Sequence, residues 1–153
     1  MIGFPAAIHH VALTVTDLET SRTWYRRLLN DDPVLDEDVP AVPGHHKGFH
    51  HTIFVLPSGV VVALHAHPGA GPDTHGAHRF DELRPGLDHI GFSCSDRAEL
   101  ERLRAHLDDL GIHHGGIADD ALGHGLSFRD PDNIALEFWA PRSQRPEDIG
   151  HAR

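Results

Sequence analysis

Two histidines open two copies of one chemical phrase. His10-Val11-Ala12-Leu13-Thr14-Val15-Thr16-Asp17 matches His89-Ile90-Gly91-Phe92-Ser93-Cys94-Ser95-Asp96 in residue class throughout. Imidazole binds metals and carries protons near neutral pH, so a repeated unit that begins on histidine presents a potential ligand twice. Strand alternation sets both on faces with room. His10, Ala12 and Thr14 oppose Val11, Leu13 and Val15, while His89, Gly91 and Ser93 oppose Ile90, Phe92 and Cys94.

The elements that would position them read the same way twice. Ile8 to Val15 alternates as a strand, Thr16 with Glu19 makes a capping box, and Leu18, Ser21, Trp24, Tyr25 and Leu28 predict a helix from about Asp17 to Leu29. Asn30-Asp31-Asp32-Pro33 ends it, and strands follow near Val34 to Val39, His51 to Leu56 and Val60 to His67. The second unit begins with a strand over Leu87 to Cys94. Asp96 and Glu99 cap a helix whose stripe is Leu100, Leu103, Leu107 and Leu110, with Gly111 as terminator. Strands are predicted near Ile112 to Ala118, Gly125 to Arg129 and Ile134 to Trp139, with Asp130-Pro131-Asp132-Asn133 as a type I turn. Unit one thus spans about 8–67 and unit two about 86–140. The Gly, Pro and His-rich stretch 68–85, with one helical turn at Phe80 to Leu83, is a crossing linker, and 141–153 is a polar tail.

Composition narrows the partners. At 153 residues, 39% hydrophobic, the chain can bury the core of one domain or two small repeats. Thirteen Lys and Arg against 23 acids give a formal charge of −10, which disfavours nucleic acid and anionic membrane and points to a small organic molecule. No apolar run approaches the ~20 residues of a membrane span. Met1-Ile2-Gly3-Phe4-Pro5 lacks the basic start of a signal peptide, so a cytoplasmic location is expected. The lone Cys94 falls among core positions and reads as an inert thiol. Sixteen histidines are the outlier.

Two tandem βαβββ units predict an α+β fold with a cupped mixed sheet and helices on its outer face. The pattern resembles the vicinal oxygen chelate superfamily, which includes glyoxalase I, extradiol dioxygenases, methylmalonyl-CoA epimerase, fosfomycin-resistance enzymes and bleomycin-resistance proteins. The resemblance covers about Ile8 to Pro141. Its motifs are His10-His-Val-Ala-Leu-x-Val-x-Asp17-Leu with Trp24-Tyr25, then Asp88-His89-Ile-Gly-Phe, and Asp130-Pro-Asp-Asn133 leading to Leu136-Glu137.

The resemblance implies that the first and fourth strands of each unit line the cup and supply metal ligands, at positions that read here as His10, His65, His89 and Glu137. Two histidines and a carboxylate leave coordination positions open and suit Fe(II), Mn(II), Ni(II), Co(II) or Zn(II). His65 differs from the Gln or Glu that the epimerase and glyoxalase resemblances lead one to expect. His51 and His124, at strand starts, are candidate general acids or bases, and Glu137 is a candidate ligand and base. His9 is a packed or edge residue, and His45, His46, His50, His67, His75, His78, His113 and His114 read as loop or surface residues. Asp36-Glu37-Asp38 reads as solvated charge. Trp139 and Phe54 shape an apolar pocket or belong to the core.

Three functions compete. The first is a metal-dependent enzyme for a small substrate with vicinal oxygens, working by proton transfer through an enediolate or by oxygen insertion into a diol ring. The second is a metal-free, bleomycin-resistance-like protein that sequesters a planar drug. The third is a histidine-rich metal buffer. A homodimer is expected, with the cup formed within one chain or by exchanged units. Family resemblance supplies a site rather than a reaction, because this fold supports unrelated chemistries.

Overall fold

The computed structural model describes residues 8–69 and 80–142. The chain divides into two compact units, residues 1–79 and 80–153. The first contains β1 (His10–Thr14), α1 (Leu18–Leu29), β2 (Leu35–Val39), β3 (Phe49–Val55) and β4 (Val61–Ala66). Its sheet order is β1-β4-β3-β2, with β1 parallel to β4 and the other pairs antiparallel. The second unit repeats this with β5 (Ile90–Ser93), α2 (Arg97–Leu110), β6 (His114–Asp119), β7 (Gly123–Arg129) and β8 (Ala135–Pro141), in the order β5-β8-β7-β6. The parallel pairs arise because each helix is the crossover between a first strand and the sheet it rejoins.

In each unit the helix covers one sheet face. Leu13, Val15, Tyr25, Leu28, Phe54, Val62 and Leu64 form the first core, and Leu100, Leu107, Leu126, Phe128, Leu136, Phe138 and Ala140 the second, all under 9% exposed. Alternation therefore turns the other residues of β1, β4, β5 and β8 to the opposite, open face. Phe54 belongs to the core and Trp139 to the open face. Cys94 is buried, and burial, aided by the Glu99 charge, pushes its thiol up to about 11, as an inert thiol requires.

Helix ends differ in how closely they follow expectation. Asp96 accepts from Glu99 N at 2.8 Å, Ser95 N donates to Glu99 Oε2 at 2.6 Å, and Gly111 closes α2 at φ +69°. For α1 the cap is Asp17 rather than Thr16. Its carboxylate takes the Thr20 backbone N–H at 3.1 Å and the Thr20 hydroxyl at 2.9 Å, a stronger charge-assisted acceptor than a hydroxyl, and Glu19 pairs with Arg22 instead. The turn before β8 forms as expected: Asn133 N donates to Asp130 O at 3.0 Å, with Asn133 at φ +68°. Asp81 and Arg84 close the turn near Phe80 to Leu83. His75, His78, most of the linker, the first seven residues and the tail beyond Arg142 lie outside the described residues.

A polar network ties helix to sheet in the first unit and corrects the sequence reading. Asp36 and His50 are not free surface groups. Asp36 accepts from the buried Thr52 hydroxyl at 2.6 Å, lies 2.9 Å from His50 Nε2 and pairs with Arg22 of α1, while His50 Nδ1 reaches Asp38 at 2.8 Å. Burial opposes ionisation of Asp36, but the bonds from Thr52, His50 and Arg22 outweigh it and hold the carboxyl at about 2. His50 is raised, chiefly by Asp36. Asp36 thus stabilises the fold above its ordinary 3.8 and loses that effect as pH falls toward about 2, whereas His50 loses its contribution as pH rises through its elevated value. Asp36→Asn should lower stability at neutral pH by up to about 2 kcal/mol and flatten the acid limb of the stability curve, as denaturant melts across pH would record.

Candidate metal centre

The second unit brings a histidine and a carboxylate face to face. His89 immediately precedes β5, and Glu137 stands on β8 opposite Gly91. His89 Nε2 and Glu137 Oε2 are 3.6 Å apart, with the side chains 49% and 23% exposed. The other ring nitrogen, Nδ1, lies 2.6 Å from Asp88 Oδ1. An ionised carboxylate only accepts, so Nδ1 carries the proton of that bond. In neutral His89 the lone pair then sits on Nε2, 3.6 Å from the oxygen of Glu137.

A proton on Nε2 or a divalent ion would each satisfy such a pair. Metal–nitrogen and metal–oxygen bonds of about 2.0–2.2 Å at a tetrahedral angle would set two donors roughly 3.4 Å apart, close to the spacing here. Gly125 makes room for the carboxylate. A Cβ on Gly125 would stand 2.5 Å from Glu137 Oε1, and one on Gly91 would come 4.0 Å from Oε2. The donor chemistry fits a divalent ion. Among the described residues the pair is not part of any poised group of three or more His, Cys, Asp or Glu.

The first unit holds its histidines differently. His10 opens β1 in register with Val61, and its Nδ1 lies 3.1 Å from Nδ1 of the exposed His9. His65 is in register with Thr14, at the far end of the same parallel pair. In the second unit the residue two beyond His89 faces Glu137; in the first, the residue two beyond His10 is Ala12, which faces Ala63. Ala63, not His65, is the repeat counterpart of Glu137.

His65 instead keeps company with His51, directly opposite it on β3, and with Phe49 and His67, at ring-centroid distances of 6.0, 4.5 and 5.9 Å. Burial, then the charges of His67, His51 and His10, lower the His65 pKa, so its ring is neutral at neutral pH and offers a lone pair. His51 Nε2 is buried without a hydrogen-bond partner, 3.5 Å from Glu37 Oε1. It remains on the open face as a candidate acid or base. His124 does not. It lies on the helix side of β7, 2.7 Å from Asp119 and 3.1 Å from Arg97 of α2, in a structural ion-pair network. Asp88 is quoted in the sequence motif without a role, and its contact to His89 is visible only in the structure.

The described helices include none long and apolar enough to cross a membrane. Residues 7–138 match the family model of the Glyoxalase/Bleomycin resistance protein/Dioxygenase superfamily. Among solved structures, a glyoxylase/bleomycin resistance protein/dioxygenase domain from Frankia sp. EAN1pec is 34% identical, with 93% of this chain and 96% of that one covered at a TM-score of 0.72. A mutant of the fosfomycin resistance protein FosX from Listeria monocytogenes, complexed with Mn(II) and a dihydroxypropylphosphonic acid, is 14% identical over 95% of this chain and 98% of that one, TM-score 0.63. Lactoylglutathione lyase from Agrobacterium tumefaciens is 20% identical over 89% and 94%, TM-score 0.57. A search of curated proteins gave no match. With the family model spanning most of its length and its repeated β-α-β-β-β order seen in the structure, the chain belongs to the glyoxalase/bleomycin resistance protein/dioxygenase superfamily.

Proposed function

We propose that this protein is a divalent-metal-dependent enzyme acting on a small substrate with neighbouring oxygens, as a lyase, isomerase or ring-cleaving dioxygenase. The observation that carries the proposal is the approach of His89 Nε2 and Glu137 Oε2 to 3.6 Å, with Gly125 leaving room for the carboxylate. These two are the ligands of the second unit. His10 and His65 are the ligand candidates of the first, with His65 the one displaced from the repeat position. Mn(II) in the Listeria protein and the lyase named for the Agrobacterium protein are consistent with this class.

When bound, the ion would act as a Lewis acid on substrate oxygens and stabilise charge developing there. The chain's own contributions are separable. Glu137 would supply a carboxylate oxygen, and Gly125, where a Cβ would collide with Oε1, leaves room for it. His51, on the open face of the first unit, is the candidate to take or give a proton. Reaction type follows from which metal restores which activity. Chelator-stripped protein, reloaded singly with Fe(II), Mn(II), Ni(II), Co(II) or Zn(II), should turn over either thiol adducts of α-ketoaldehydes or catechols with one ion and neither without. Equal turnover by the stripped protein would contradict the proposal.

A further inference from the structure

We infer that Asp88 is a positioning residue that fixes the tautomer of His89, protonated at Nδ1, and so presents the Nε2 lone pair on the Glu137 side. The metal consequence rests on the reading of His89 and Glu137 as ligands; the tautomer assignment stands without it. The Asp88 Oδ1 to His89 Nδ1 contact, at 2.6 Å, is a short hydrogen bond, while His89 Nε2 to Glu137 Oε2, at 3.6 Å, is too long for one. One side of the ring is thus locked and the other left open.

Arg129 of β7, bound through its guanidinium to Glu82, also interacts with the charge of Asp88. An acceptor on Nδ1 raises the basicity of the opposite nitrogen and holds the ring plane, which is how outer carboxylates support metal-bound histidine. Without Asp88, the Nε2–H form would turn a proton toward the carboxylate of Glu137 and close the gap with an ordinary hydrogen bond. The lone pair that a cation needs would then be occupied.

Two measurements test this on the full chain. Nitrogen-15 NMR of metal-free protein at alkaline pH, where the ring is neutral, should show His89 as the Nδ1–H tautomer and Asp88→Ala shifted mainly to Nε2–H. Titration with Zn(II) should show Asp88→Ala binding about 10–100-fold more weakly. Asp88→Asn, whose amide oxygen still accepts from Nδ1, should fall between Ala and wild type, and Asp88→Glu should recover affinity to within a few-fold. An unchanged tautomer in Asp88→Ala overturns the inference. So does wild-type affinity in Asp88→Ala when His89→Ala has lost the metal. Should His89→Ala bind like wild type, the metal reading fails, and the tautomer shift alone upholds or overturns the role of Asp88.

Discussion

Glu137→Gln is expected to abolish stoichiometric metal binding, weakening affinity at least about 100-fold, beyond the range seen when only outer-shell partners are removed. Glutamine keeps the shape and one oxygen but loses the charge that neutralises a divalent ion. The same change should leave the metal-free fold intact or make it slightly more stable. In the native pair two acceptors face each other at 3.6 Å. The new amide N–H would donate to His89 Nε2 and add roughly 0.5–1.5 kcal/mol. A variant that melts higher without metal and no longer melts higher with it is the signature to look for in paired thermal scans.

Gly125→Ala should separate stability from binding in another way. The added Cβ would meet Glu137 Oε1 at 2.5 Å, so something must move, and the free end of a glutamate is what moves most easily. Displacing that oxygen should weaken metal binding roughly tenfold or more. The fold loses little, because replacing glycine where φ is ordinary gains about 0.4–1 kcal/mol through the unfolded chain. Calorimetric titration beside a denaturant melt would show affinity falling while stability holds. Equal losses in both would mean that Gly125 serves packing alone.

Much of the architecture was legible because hydrophobic alternation and two capping signals recur in the same order. Leu100 and Leu107 are buried as the helical stripe predicts, and the Asp130 to Asn133 turn forms. Boundaries moved by a few residues, as with β3 beginning at Phe49 rather than His51 and β7 at Gly123 rather than Gly125. In the site, sequence parity found the shared open face of His89 and Glu137, because same-strand alternation is local. It misaligned His65 with Glu137, drawn by the Ala-Leu pair before each, since the register between a first and fourth strand is set by long-range pairing. His124 was misjudged for a related reason. Its strand start gave no sign of which face it would take, and the partners that claim it, Asp119 and Arg97, come from two other elements.

His50 shows how a charge run can mislead. Asp36 and Asp38 alternate onto one face of β2, and their register with Thr52 and His50 turns them from solvated acids into a bonded network. The signal was the alternation itself, legible only once the neighbouring strand is known.

The most direct measurement is the metal content of untagged protein by mass spectrometry, with His89→Ala and Glu137→Gln prepared alongside. One equivalent of a divalent transition metal per chain in the wild type, absent from both variants, is the predicted result. Metal-free wild-type protein, or the same metal content in all three, would contradict the account and leave drug sequestration as the reading to pursue.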